Sequence, residues 1–185
     1  AEVSEKIEKS LSLTTKILNE LVEDGYVIET GYAPSSGGRR PQMYSLKPDI
    51  MYTVSVAMDQ FVTRLAVMDM QNRHIGKIES LELNLAVNPG SLDVITDRIN
   101  DVIDKSGIPK NKIAGIGISM PGFIDAKEGI NYSFLTNRQG TITSFIEGKT
   151  GIPVFIDNDS SLIALAELKF GAARNKKNIM VINVG

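Results

Sequence analysis

A few stretches of this 185-residue chain combine side chains able to hold anions or sugar hydroxyls. Gly37-Gly38-Arg39-Arg40-Pro41 sets two guanidinium groups on a tip bounded by glycine and proline. Paired exposed arginines need an anionic partner, and their rigid fork of donors matches phosphate oxygens. Asn158-Asp159 places an amide that donates and accepts beside a carboxylate that only accepts, which suits a diol. Ser12, Thr15, Lys16 and Asn19 recur at spacings that share one face of a helix, each able to reach a base edge or a phosphate. His74 follows a turn-like Gln71-Asn72-Arg73 and reads as a solvent-facing strand residue rather than a ligand.

Composition narrows the classes. With no Cys and one His, a disulfide framework and a Cys-rich zinc cluster are excluded, and a cytoplasmic location is expected. The net charge of −2 confines any nucleic-acid contact to local clusters. No apolar run approaches the roughly 20 residues of a membrane helix, so no membrane partner is expected. The chain opens at Ala1 and stops within the apolar run Ile182-Asn183-Val184-Gly185, as expected for a segment of something longer.

Two blocks of elements must carry these residues. In residues 3–27, Val3, Ile7, Leu11, Leu18, Leu21 and Val22 recur at helical spacing. A turn around Glu8-Lys9 and a Ser10 cap divide them into two helices, and Asp24-Gly25 ends the second. Leu11, Thr14, Leu18 and Leu21 are expected to face inward. Strands over 26–29 and 43–46 then form a hairpin around the basic tip. Helix, turn, helix and hairpin make a winged helix-turn-helix over residues 1–47, its first helix expected upstream of Ala1. The second helix fits a DNA major groove, and arginines on the tip fit a narrow minor groove. A small helical protein-interaction domain fits the helix pattern equally well; the arginine tip favours DNA.

The second block, 50–176, begins with strands over 52–57, 63–68 and 74–81. A helix over 91–105 and a strand over 112–120 follow, the latter with Gly115 and Gly117 admitting a close neighbour. A helix near 143–149, a strand over 153–156, a helix over 160–170 and a strand over 178–184 complete the order. This predicts an α/β lobe with a mixed sheet and parallel crossovers, the order of a ribonuclease H-like (actin/hexokinase-like) lobe, with residues 177–185 opening a second one.

Ser36-Gly37-Gly38-Arg39-Arg40-Pro41, Gly115-Ile116-Gly117 through Pro121-Gly122, Asp157-Asn158-Asp159 and Leu165-Ala166-Glu167 together resemble the ROK family of repressors and sugar kinases. That resemblance implies a sugar-responsive, DNA-binding regulator of carbohydrate metabolism, a repressor by default. Sugar or sugar phosphate would be bound by Pro121, Gly122, Asn137, Asn158 and Asp159, and operator DNA by Ser12, Thr15, Lys16, Asn19, Arg39 and Arg40, in a homo-oligomer (dimer or tetramer). Kinases of the family carry Asp-x-Gly-x-Thr in the first hairpin; here Ala57, Asp59 and Phe61 fall at the Asp, the first Gly and the Thr. The phosphate grip is thus expected to be lost and the chain not to be an enzyme. The alternatives are a register in which Asp59 is the catalytic-type Asp, and a sugar kinase with a DNA-binding extension. On their own residues, Asn158-Asp159 also read as a plain helix cap. No cofactor is expected in this chain; the family's zinc motif, with His and Cys, belongs to a region further along.

Overall fold

A computed structural model describes residues 2–34, 40–86, 90–135 and 140–183. The chain divides into two units, Ala1–Met51 with Met70–Asn72, and Tyr52–Asp69 with Arg73–Gly185.

The first unit contains α1 (Glu2–Lys6), α2 (Leu11–Glu23), β1 (Val27–Tyr32) and β2 (Gln42–Leu46). The Ser10 hydroxyl caps α2 by accepting from the Leu13 N–H, and Gly25, at φ +77°, follows its end as the sequence pattern requires. The two strands pair antiparallel from Val27 opposite Leu46. Thr14 is buried, and Leu18, Leu21 and Val22 are half-buried. Leu11 departs from the expected inward face and is 59% exposed. It lies in the first turn of α2, and the five-residue α1 is only about 7.5 Å long, too short to cover that turn.

In the second unit, β3 (Tyr52–Met58), β4 (Val62–Asp69), β5 (His74–Glu82), β6 (Ile113–Met120) and β9 (Val154–Asn158) form one sheet in the order β5-β4-β3-β6-β9. β3, β6 and β9 run parallel, while β4 and β5 run antiparallel to their neighbours, giving the expected mixed sheet. β3 alternates strictly between buried and exposed, which sends Val54, Val56 and Met58 to one face. Against that face pack α3 (Ser91–Ser106), through Leu92, Ile95, Ile99, Val102 and Ile103, and α4 (Ile142–Thr150), through Ile142 and Ile146. Each of these side chains contributes about 1.5–3 kcal/mol by leaving water. Lys105 and Arg98 of α3 both reach Glu79 on β5. The Lys105 hydrogen bond, helped by the Lys105 and Arg98 charges, holds the Glu79 carboxyl below the usual range against the opposing effect of burial. This tether is complete above the ordinary glutamate range and fades as pH falls through the lowered value; its basic partners lie toward solvent, so its effect on stability is small.

Two elements differ from expectation. A short hairpin of β7 (Ile124–Asp125) and β8 (Ile130–Asn131) follows β6. The strand expected over 178–184 is not formed within the described residues 178–183, where Met180 and Ile182 are 87% and 76% exposed. A strand needs a neighbouring ladder to satisfy its N–H and C=O groups, and none pairs with this segment among the described residues. Of the two glycines expected to admit a neighbour, Gly115 does so: a Cβ there would lie 3.3 Å from the Phe155 ring and 3.3 Å from the Pro153 carbonyl. Gly117 has open space above it instead.

Candidate functional site: a helix face and a strand-end cleft

In the first unit, α2 presents Ser12, Thr15, Lys16 and Asn19 to solvent on one stripe, spaced i, i+3, i+4 and i+7. The Thr15 hydroxyl donates to the Leu11 carbonyl at 2.8 Å, leaving its oxygen free to accept. Lys16 lies 3.8 Å from Glu20, both side chains well exposed, a loose pair that an incoming phosphate displaces at little cost. Arg40 is exposed; Arg39 and the Ser36-Gly37-Gly38 part of the tip lie outside the described residues.

In the second unit, the strand register aligns Arg64, Ala57, Ser119 and Asp157 in one row across β4, β3, β6 and β9. This row sits on the sheet face opposite α3 and α4, at the carboxyl ends of the three parallel strands. In open α/β sheets that edge is where ligands collect. Immediately beyond it come Pro121-Gly122 after β6, and Asn158-Asp159 at the junction of β9 with α5 (Asp159–Lys169).

Asn158 joins the two loops. Its Nδ2 donates to the Gly122 carbonyl at 3.0 Å, while its Oδ1 accepts from the Ser160 and Ser161 N–H groups at 3.0 and 3.2 Å. The helix cap and the bridge across the cleft are therefore the same side chain. Asp159 occupies the first turn of α5, where negative charge is favoured. Its Oδ1 accepts from the Ser160 N–H at 2.7 Å, and its Oδ2 faces the Asn183 amide at 3.4 Å. Asn137 lies outside the described residues.

The Pro121-Gly122 loop is held by a residue that the sequence did not single out. Asn131 is 1% exposed; its Nδ2 donates to the Pro121 carbonyl at 2.8 Å, and its Oδ1 accepts from the Ser133 and Phe134 N–H groups at 2.8 and 3.0 Å. Asn131→Ala removes three hydrogen bonds to partly buried backbone groups. It is expected to destabilise the fold by roughly 2–4 kcal/mol in a denaturant titration. Gly122 takes φ +105°, and a Cβ there would lie 2.7 Å from the Ser133 Cβ. Gly122→Ala is accordingly expected to cost roughly 1–3 kcal/mol and to move the loop, measurable as a lowered Tm.

The β3–β4 hairpin closes on itself. Asp59 Oδ1 accepts from the Phe61 and Val62 N–H groups at 2.8 and 2.7 Å, and Oδ2 lies 3.7 Å from Arg64. The turn's own carboxylate thus occupies backbone donors that could otherwise face an anion. A separate groove of about 420 Å³ crosses the open sheet face, lined by Thr53, Ser55, Gly115, Gly117 and Phe155. It carries no charged side chain and lies toward the amino ends of β3, β6 and β9, away from the carboxyl-end row. His74 is exposed on β5. Among the described residues no group of three or more His, Cys, Asp or Glu is arranged to hold a metal. No helix there is long and apolar enough to cross a membrane.

A family profile described as "ROK family" matches residues 76–185. The chain belongs to the ROK family. A curated relative, the xylose repressor of Bacillus spizizenii, is 30% identical over 187 residues, covering 100% of this chain and 48% of its own length. The chain therefore spans about half the length of the curated relatives it matches. A crystal structure of a ROK family transcriptional regulator, homolog of E. coli MLC protein, superposes with a TM-score of 0.64 at 21% identity, over 90% of this chain and 43% of that one. The ROK hexokinase from Thermus thermophilus superposes with a TM-score of 0.55 at 22% identity, over 68% and 39%. These likenesses establish the actin/hexokinase-like fold of the ROK lobe.

Proposed function

We propose that the chain is the DNA-binding head and first lobe of a sugar-responsive transcriptional repressor. One observation carries this reading. A helix with an exposed polar stripe and a basic hairpin precedes a ROK lobe whose first hairpin has Ala57 on the cleft row and binds its own amides through Asp59. A phosphoryl donor would meet a carboxylate there rather than free N–H groups, which opposes polyphosphate binding. The similarity to a xylose repressor agrees with this reading.

In this reading α2 enters the major groove with Ser12, Thr15, Lys16 and Asn19, and Arg39 and Arg40 reach the minor groove. The strand-end cleft takes a sugar or sugar phosphate: Asp159 accepts hydrogen bonds from its hydroxyls, and Pro121, Gly122 and Asn137 border it. Asn158 acts chiefly as the strut that holds the two loops together. Sugar binding shifts the population of a homo-oligomer able to dock on both operator half-sites. The protein works in the cytoplasm, performs no catalysis, and needs no metal in this part of the chain.

Sugar kinases share the fold, so ATP decides between the two readings. A coupled assay with MgATP and a panel of hexoses and pentoses is expected to show no turnover above the protein-free rate. Sustained ATP-dependent phosphorylation of any of these sugars would overturn the repressor reading in favour of a kinase with a DNA-binding extension.

A further inference from the structure

Phe123 and Tyr132 stand side by side on the β7–β8 hairpin, 72% and 55% exposed, with ring centroids 5.5 Å apart and planes tilted by 34°. They extend the register that pairs Ile124 with Asn131 by one step. Their backbones are fixed: the Tyr132 N–H donates to the Phe123 carbonyl at 2.8 Å, and the Phe123 N–H donates to the Ser133 hydroxyl at 3.0 Å. Phe123 directly follows Gly122, the residue that Asn158 holds across the cleft. Two large, exposed aromatic rings are therefore carried side by side, on a backbone fixed by hydrogen bonds, next to the loop that borders the candidate sugar site.

We infer that this pair is a stacking platform for a second sugar ring, so that the cleft takes a glycoside of at least two rings. A sugar ring has an apolar C–H face edged by hydroxyls. Such a face is attracted to the negative face of an aromatic ring and leaves water on contact with it. The Tyr132 hydroxyl can donate to or accept from the ring's edge. Because the hairpin backbone and the mutual ring contact already place the pair side by side, the ordering cost of binding is reduced. Exposed aromatic surface that is continuous with a polar cleft marks a ligand groove more readily than a folding core. This inference rests on the reading of Asp159 as the holder of the first ring.

The test is calorimetric titration of the full chain with two matched pairs of probes, D-glucose with cellobiose and D-xylose with xylobiose. Saturation-transfer NMR on the same samples reports which ring protons contact the protein. In the wild type, one disaccharide is expected to bind roughly 10-fold more tightly than its monosaccharide, with saturation on the C–H protons of its second ring. In Phe123→Ala/Tyr132→Ala the ratio should fall to about one while monosaccharide affinity stays; Phe123→Trp, which keeps an aromatic face, should retain the preference. A wild-type ratio of one, a ratio unchanged in the double alanine variant, or an equal loss of both affinities in that variant would each overturn the platform. Failure of the wild type to bind any of the four sugars would overturn the platform, and failure to bind D-glucose 6-phosphate and D-xylose 5-phosphate as well would overturn the sugar reading beneath it.

Discussion

Replacing Arg39 and Arg40 together by alanine is expected to weaken binding to the protein's preferred duplex roughly 100-fold near 0.15 M salt. Each arginine lost from a nucleic-acid contact removes on the order of 1–3 kcal/mol, and two at the lower part of that range give this factor. Each phosphate contact also releases counterions, so the slope of log affinity against log salt should flatten by about two. Fluorescence anisotropy across a salt series reads both quantities. Sugar affinity should not change, because the arginines belong to the first unit and the cleft to the second. Unchanged affinity and slope would mean that the hairpin tip does not touch DNA.

The second large effect is expected from Asp159→Ala. A carboxylate hydrogen bond to a ligand hydroxyl contributes about 1.5–3 kcal/mol, so sugar affinity should fall roughly 10- to 100-fold while duplex binding persists without induction. The substitution removes the bond from the Ser160 N–H to Asp159 but should leave α5 formed, because Asn158 still accepts from the Ser160 and Ser161 N–H groups. Asn158→Ala is a useful contrast. It removes the cap and the bond to Gly122 together, so it should lower stability as well as sugar affinity. Calorimetric titration with a denaturation curve for each variant separates the two. A sugar response that survives Asp159→Ala would place the ligand elsewhere.

Much of the fold is legible in the sequence because long elements repeat their pattern. Leu92, Ile95, Ile99, Val102 and Ile103 mark the buried stripe of α3 without ambiguity, and Tyr52 to Met58 alternate as a half-buried strand must. Ser10 and Gly25 punctuate α2 by local chemistry alone. Where the deciding partner is distant, the sequence is silent. β7 and β8 have two residues each, too few to show a period. The exposure of Leu11 depends on how far α1 reaches, and the segment over 178–183 reads as a strand but has no ladder to join. The same holds at the site. Asn158-Asp159 stands out by type and spacing, yet the engagement of both ends of the Asn158 amide depends on a carbonyl 36 residues away. Asn131 carries no motif; only its burial against the Pro121 carbonyl and two N–H groups marks it as the holder of that loop. Asp59, read as a misplaced carboxylate in a phosphate turn, proves to serve that turn's own amides.

In the proposed repressor, one chain reads DNA and a sugar controls it. The most direct measurement is anisotropy of a labelled duplex, selected by the protein from a random-sequence library, titrated in the protein complex with D-xylose, D-glucose, cellobiose and xylobiose. A defined duplex is expected to be enriched, and at least one of these sugars should lower its affinity by roughly 10-fold or more, an effect absent in Asp159→Ala. Enrichment of no duplex, or a selected duplex whose affinity is indifferent to all four sugars, would contradict the repressor reading.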